Sequence, residues 1–469
     1  MLGIPLVLAA GVRGGPWCRR ITHLSMSLPP VAGLRHRAQP FGWAPGPPQM
    51  KNTLRPASLN VLACVSLALM LTTASAAELV EIPASSPKAL EYHAVSNGFW
   101  GLNEVVGLAL PLLLLATGWG ARLYQFAAGL SGRRRVVSLA MFAATYFLLD
   151  RLVRLPIRYL WDRAYEQVTG AQSQAPMPWL ANQVSGWVLP VVGLTLLAVL
   201  AYWLIGRSPR RWWLWASAAV SIVVLTFLLV EPFTQSHKPL GSSPLEQRIA
   251  ELAARTGVPP SAIVIEHCDP ASSCPPGRVI GMGPTRLMLL NDALLAKSPE
   301  SWTLQTVAHE AKHFARDDNL KAFLVLSGLA LAGLWLVHVS ARAMLSRWPG
   351  GTGLSGLAHP ASLPLVVLLF SAFHLAVLPP VNAFRQHVEL EADRFALELT
   401  RGNLAQAQFF ATWAGDKSRV TEWSTFFKLF RASHPSYATR IELSNTYHPW
   451  REGKPLVYAR DWAPAKNVE

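Results

Sequence analysis

Six apolar stretches long enough to cross a bilayer constrain this chain more than any other feature. They lie at roughly 99–118, 136–153, 187–206, 212–231, 321–340 and 362–379. Lipid offers a backbone N–H or C=O no partner, so each stretch must satisfy its own backbone as a helix. Composition agrees: 51% of the 469 residues are hydrophobic and 15% charged, against ~25% charged in an ordinary soluble chain. Trp100, Trp119, Trp187, Trp203, Trp212 and Trp213 fall near the ends of the stretches, at the depth where amphipathic rings settle. The second stretch is marginal, because Asp150-Arg151 interrupts its end. Asp150, His338 and His374 sit in or beside spans, as functional groups or as satisfied packing polars. The expected fold is mainly α, a polytopic helical membrane protein.

The formal net charge is +15, from 42 Lys and Arg against 27 Asp and Glu. In a soluble protein that excess would point to nucleic acid. Here the basic residues gather in short loops: Arg122 with Arg133 to Arg135, then Arg207 with Arg210 and Arg211, then Arg342 with Arg347. Alternate crossings put these loops on one face, which the positive-inside rule makes cytoplasmic. The lipid bilayer, with no nucleic acid, is therefore the expected surrounding. Residues 232–320 and 380–469 then face the periplasmic side of a bacterial inner membrane. Residues 1–49 hold no Asp or Glu, and Met50 opens a segment with Lys51 and Arg55, an apolar core at 57–73, and Ala74-Ser75-Ala76. Residues 1–76 thus read as a leader and secretory signal peptide starting at Met50; a retained first membrane helix is the other reading. Removal of 1–76 leaves Cys268 and Cys274, a small disulfide or two free thiols.

Between the fourth and fifth spans, Ser243-Pro244-Leu245-Glu246 forms a capping box and Gly257 ends the helix it opens. Residues 262–266 read as a strand, and 278–282 with 286–290 as a pair joined around Gly283-Pro284. Next comes "TVAHEAKHFARD", Thr306 to Asp317. Ser298-Pro299 predicts an N-cap followed by proline at the first helical position. Trp302, Val307, Ala308, Ala311, Phe314 and Ala315 then recur at helical spacing. That spacing puts His309 and His313 one turn apart on one face. Two such imidazoles hold one zinc at ~2.0–2.1 Å each, and Glu310 beside them suits a general base. The same residues also fit a solvated helix face, so a third ligand decides. It is offered by "RQHVELEADRFALEL" (385–399), which follows the last span after Pro379-Pro380. On a helix Arg385, Glu389 and Asp393 share a face. Glu389 completes a His-His-Glu set with an open fourth position, and Asp393 suits orienting a ligating imidazole through its other nitrogen. His387 and Glu391 point elsewhere on the wheel.

With these motifs the sequence resembles the type I CAAX prenyl protease family of membrane zinc metallopeptidases, from about residue 100 onward. "LPIRYLWDRAYEQVTGAQSQ" (155–174), "PLEQRIAELAARTGVP", "GMGPTRLMLLNDALL", "ELEADRFA" and "HPSYATRI" (434–441) follow the family's order. The resemblance implies one zinc per chain on His309, His313 and Glu389, with Glu310 as base and Asp393 behind a ligand. It implies His434 and Arg440 at the substrate carbonyl or the developing oxyanion, and a polypeptide substrate. The expected layout is a membrane domain over 77–231 and a zincin-like peptidase domain, a short sheet plus the motif helix, split into 232–320 and 380–469 around the two membrane helices of 321–379. Three departures stand out. Lys312 replaces the glycine usual before the second histidine, and Pro276-Gly277 stand where the family has Asn-Ala on a substrate-binding edge strand. The family has seven helices and a cytosol-facing site, whereas six spans are counted here and the arginines put the site outside. The expected function is a membrane-embedded zinc metalloendopeptidase cutting membrane-associated or misfolded proteins. A pseudoprotease scaffold that binds polypeptides without turnover is the alternative.

Overall fold

The computed structural model describes residues 79–170, 174–268, 274–347, 356–415 and 419–462. The leader and signal-peptide reading of residues 1–76 lies outside the described residues. Among those described, six helices have the length and hydropathy of membrane spans.

The first helix of the described residues is α1 (Pro87–Ala116), opened by Ser86, whose hydroxyl accepts the Ala89 N–H. The shorter α2 (Trp119–Leu130) leads to α3 (Arg135–Thr169), α4 (Pro176–Arg207) and α5 (Trp212–Thr234). Leu114, Ala127, Phe142, Ala143, Tyr146 and Tyr202 bring α1 to α4 together around one apolar core. Outward faces stay apolar too, with Val188, Leu189, Ile222 and Val223 exposed, as lipid requires. Asp150-Arg151 does not end the second span, contrary to its marginal reading. Arg154, one turn on, pairs with Asp150 at 2.9 Å and donates to the Asn103 carbonyl of α1 at 2.7 Å. The half-buried charge is neutralised and α3 runs on to Thr169.

After α5 the chain builds a small sheet. Strands β1 (Lys238–Pro239), β2 (Ile263–Glu266), β3 (Gly277–Ile280) and β4 (Leu287–Asn291) lie in the order β1-β2-β4-β3. The β2/β4 pair is parallel, with Ile263 opposite Met288; β3/β4 is antiparallel, with Gly277 opposite Leu290. Helix α6 (Pro244–Ala254) has the expected capping box at Ser243 and Glu246. Gly257, at φ +78°, turns the chain so that the Val258 N–H reaches the Ala253 carbonyl. Cys268 and Cys274 are joined by a disulfide. A short α7 (Asp292–Lys297) precedes the motif helix α8 (Glu300–Ala315). Here the expected cap is displaced: Pro299 occupies the N-cap and Ser298 closes α7 through its N–H to the Leu294 carbonyl. A residue already ending one helix is not free to open the next.

Two long helices follow, α9 (Asp318–Arg347) and α10 (Leu363–Thr400). Ile205, Trp212, Val337, Ala341 and Leu365 pack α4, α5, α9 and α10 together. Pro379 and Pro380 do not separate a membrane helix from a ligand helix; both lie inside the single α10. Each removes one helix hydrogen bond, but the helix is held on both sides of the gap. Its first turns join the membrane cores. Its last turns put Phe395, Ala396 and Leu399 into a core with Ile249, Ile263, Met288, Val307 and Ala311. Its 38 residues span ~57 Å against ~30 Å of hydrocarbon, so the end carrying Glu389 projects from the bilayer. Arg401, in the left-handed region at φ 57°, stops it. The chain finishes with α11 (Asn403–Ala414), α12 (Thr425–Phe430) and α13 (Tyr437–Thr446).

Candidate metal centre

The i, i+4 spacing on α8 does what the sequence requires of it: His309 and His313 face the same point, their Nε2 atoms 3.2 Å apart. Helix α10 supplies Glu389 opposite, with Oε2 3.3 Å from His309 Nε2 and Oε1 3.9 Å from His313 Nε2. One ligand atom from each of the three lies within 4.8 Å of the others. Both imidazoles are held from behind. His309 Nδ1 meets Asp393 Oδ1 at 3.0 Å and His313 Nδ1 meets Asp318 Oδ2 at 2.7 Å. A carboxylate accepts, so each ring donates from Nδ1 and turns its Nε2 lone pair toward the shared point. Two ligands ~2.1 Å from a tetrahedral zinc stand ~3.4 Å apart, so the spacing fits that ion. Two imidazole nitrogens and one carboxylate are also the donor set of a catalytic zinc.

Burial opposes a charge on His309, but hydrogen bonds and charge from Asp393 and Glu389 outweigh it and raise the pKa to about 9. Glu310 is buried, and its Oε2 has no hydrogen-bond partner among the described residues. Burial raises its pKa, while the charges of His309 and His313 pull it down. Its stem lies against the edge strand β3 so closely that a Cβ on Gly277 would come within 2.9 Å of Glu310 Cγ.

His434 comes to the same place from the loop before α13, its Nε2 3.5 Å from Glu389 Oε1 and its side chain 40% exposed. Arg440 was expected at the substrate carbonyl. Its Nε and Nη2 instead bind Asp393 at 2.7 and 2.5 Å, and its guanidinium lies 4.0 Å from the centre of the Phe410 ring. Asp393 is 1% exposed, and a carboxylate so buried needs a cation. His387 and Glu391 lie off the ligand set and 3.7 Å apart. Lys312 does not crowd the site: its ammonium turns away to Asp318, Glu391 and the Val388 carbonyl.

Asp318, the partner of His313, was missed. It follows Asp317, whose left-handed φ of 45° reverses the chain between α8 and α9. The available signal was an acidic pair closing the motif helix, where the second member lands in the first turn of the next.

A helical membrane bundle that brings two imidazoles and a carboxylate together beside a buried glutamate defines a class, the membrane metalloproteases. The chain belongs to peptidase family M48, the type I CAAX prenyl proteases. Residues 63–235 match the CAAX prenyl protease N-terminal region, described as five membrane helices, and residues 239–446 match peptidase family M48. The chain is 26% identical to the uncharacterized metalloprotease YhfN of Bacillus subtilis over 368 residues, 77% of this chain and 85% of the relative. It is 22% identical to the CAAX prenyl protease 1 homolog of Dictyostelium discoideum over 319 residues, 66% and 73% of the two. The crystal structure of S. mikatae Ste24p has the same fold, with a TM-score of 0.61 at 16% identity, over 83% of this chain and 98% of that one.

Proposed function

We propose that this chain is a zinc metalloendopeptidase that hydrolyses peptide bonds of membrane-associated or misfolded polypeptides. The observation that carries the reading is the convergence of His309, His313 and Glu389 beside Glu310, whose buried Oε2 has no partner among the described residues. His309, His313 and Glu389 would hold one zinc, with Asp393 and Asp318 fixing the two rings. The ion, when bound, supplies Lewis-acid polarisation of the scissile carbonyl and acidifies the attacking water. Glu310 takes the proton of that water and returns it to the leaving amine. Its burial beside β3 raises its affinity for that proton, which suits a group that must both accept and release it. His434, facing Glu389 from the open side, donates to the oxyanion as the carbonyl becomes tetrahedral. Arg440 acts through Asp393, holding the carboxylate that aims His309.

We keep the division of the sequence reading, a peptidase domain over 232–320 and 380–469 around the membrane helices of 321–379 and after the membrane domain of 77–231, its last boundary falling inside the continuous α10. We place it on the periplasmic side of a bacterial inner membrane. The arginine loops support that orientation, and so does a Cys268–Cys274 disulfide, which persists in oxidising compartments. Four of the long described helices fall within 63–235, where the family region has five.

The test is Glu310→Gln. The amide leaves the three ligands untouched but accepts no proton, so zinc is retained and turnover of an unfolded substrate falls by ~10²–10⁴-fold. Near-normal cleavage by the zinc-loaded variant refutes the role. Absence of turnover in zinc-loaded wild-type protein would favour the scaffold reading instead.

A further inference from the structure

We propose that Lys312 is a positioning residue of the metal centre, a buried ammonium that ties the two halves of the ligand set together. This rests on the zinc reading above and deepens it. Lys312 lies inside the motif, between the two histidines, where its side chain is 1% exposed. An ammonium there is tolerated only when its hydrogen bonds are satisfied. Its Nζ reaches Asp318 Oδ2 at 3.0 Å, the Val388 carbonyl at 3.1 Å and Glu391 Oε2 at 3.2 Å. Three donors thus meet three acceptors.

Two of those acceptors lead directly to ligands. Asp318 Oδ2 is the same atom that takes the His313 Nδ1 hydrogen bond at 2.7 Å. Lys321 holds the other oxygen of Asp318 at 2.7 Å, so the carboxylate is fixed at both ends and cannot rotate away from the ring. Val388 immediately precedes Glu389 on α10, and Glu391 lies two residues beyond it. One cation therefore stands between the acceptor that aims His313 and the backbone that carries Glu389, where α8, α9 and α10 meet. It sets the distance between two helices that come from opposite sides of a membrane crossing. It also shares the Asp318 charge with His313 and Lys321. A glycine at this position supplies neither the charge nor the span.

The experiment uses full-length protein purified in detergent. Zinc affinity is measured by competition with a chromophoric chelator, and the geometry of the centre by the visible spectrum of the cobalt-substituted form. Lys312→Met keeps the stem and removes the charge. It is expected to weaken zinc binding ~10–100-fold, the range seen when groups behind a ligand are lost, and to shift the cobalt bands. Lys312→Arg should recover most of both. Glu391→Gln, on the half-exposed side of the network, should shift affinity the same way by a smaller factor, and it decides the matter if Lys312→Met does not fold. Ile249→Ala, a core deletion away from the ligands, controls for general loosening and should lower Tm without moving zinc affinity. Wild-type zinc affinity and cobalt spectrum in folded Lys312→Met, or an equal loss in Ile249→Ala, overturns the proposal while leaving the zinc site standing. Absence of zinc binding in the wild-type chain overturns the site and this inference with it.

Discussion

Replacing Gly277 by alanine tests how closely the edge strand and Glu310, the proposed general base, are fitted. The new Cβ would lie 2.9 Å from Glu310 Cγ and 3.2 Å from Thr306 Cγ2. Carbon atoms rest ~3.5–4.0 Å apart, so something must move by ~0.6 Å or more. The strand is the stiffer partner, since it is paired to β4. Asn291 also grips the chain just before it, through its N–H to the Pro276 carbonyl at 3.1 Å and its side-chain amide to Pro275 at 2.8 Å. Glu310 is held by no hydrogen bond at Oε2, so its carboxyl gives way. A 1 Å misplacement of a reacting group costs ~10²-fold, so about half that distance should cost roughly tenfold in kcat, ~1.4 kcal/mol. KM should stay within about twofold, because the loss falls on the transition state. Zinc content should not change, since the Cβ touches no ligand. Steady-state cleavage of fluorescein-labelled casein, with metal analysis of the same preparation, provides the readout. Alanine is also the residue the family resemblance leads one to expect here. A kcat within about twofold of wild type in zinc-loaded protein would therefore show the strand free to retreat, and the argument from contact would fail.

Glu389→Ala removes one of the three proposed ligands and should abolish stoichiometric zinc, whereas Glu391→Ala should retain it; equal metal in the two variants would sink the ligand assignment. His309 in metal-free protein has a pKa raised to about 9, so zinc uptake near pH 7.5 should release a proton and affinity should rise with pH until about 9. In the metal-free protein the same proton stabilises the fold fully below the unfolded value of ~6.5. That contribution is lost as pH rises through about 9, and a melting temperature insensitive to pH across this window would contradict it. On a background lacking the native cysteines, Ser242→Cys should react with a membrane-impermeant thiol reagent on intact cells, and Ser346→Cys, on the arginine side, should not; the reverse pattern overturns the orientation. Asp318→Ala leaves His313 Nδ1 without its acceptor and should weaken zinc ~10–100-fold, which chelator competition reads directly.

The convergence of His309, His313 and Glu389, a group that could hold a metal ion, was legible because helical spacing is rigid: once α8 and α10 are helices, these residues and Asp393 have little choice of face. The capping box at Ser243 and the left-handed Gly257 were legible for the same reason, being written in neighbouring residues. What escaped depends on where separate elements meet. Asp318 reaches His313 only because the chain reverses at Asp317, and no periodicity spans that break. Lys312 stood out only as a departure from glycine, since its acceptors lie on α9 and α10. Arg440 was given to the substrate because the buried demand of Asp393 is invisible until α13 is packed beside α10. The prolines of α10 signalled an end that packing at both sides overrode.

The single rod of α10 has a consequence for how the protein comes into being. A ribosome delivers His309 and His313 first, then the whole of α9, then the outer turns of α10, and Glu389 only after them. The two imidazoles cannot meet their carboxylate until that hairpin has been threaded through the bilayer and the far end of α10 has emerged on the proper side. Correct insertion is thus a precondition of a complete centre. A nascent chain, or one stalled in the insertion machinery, carries half a site and is harmless to its neighbours.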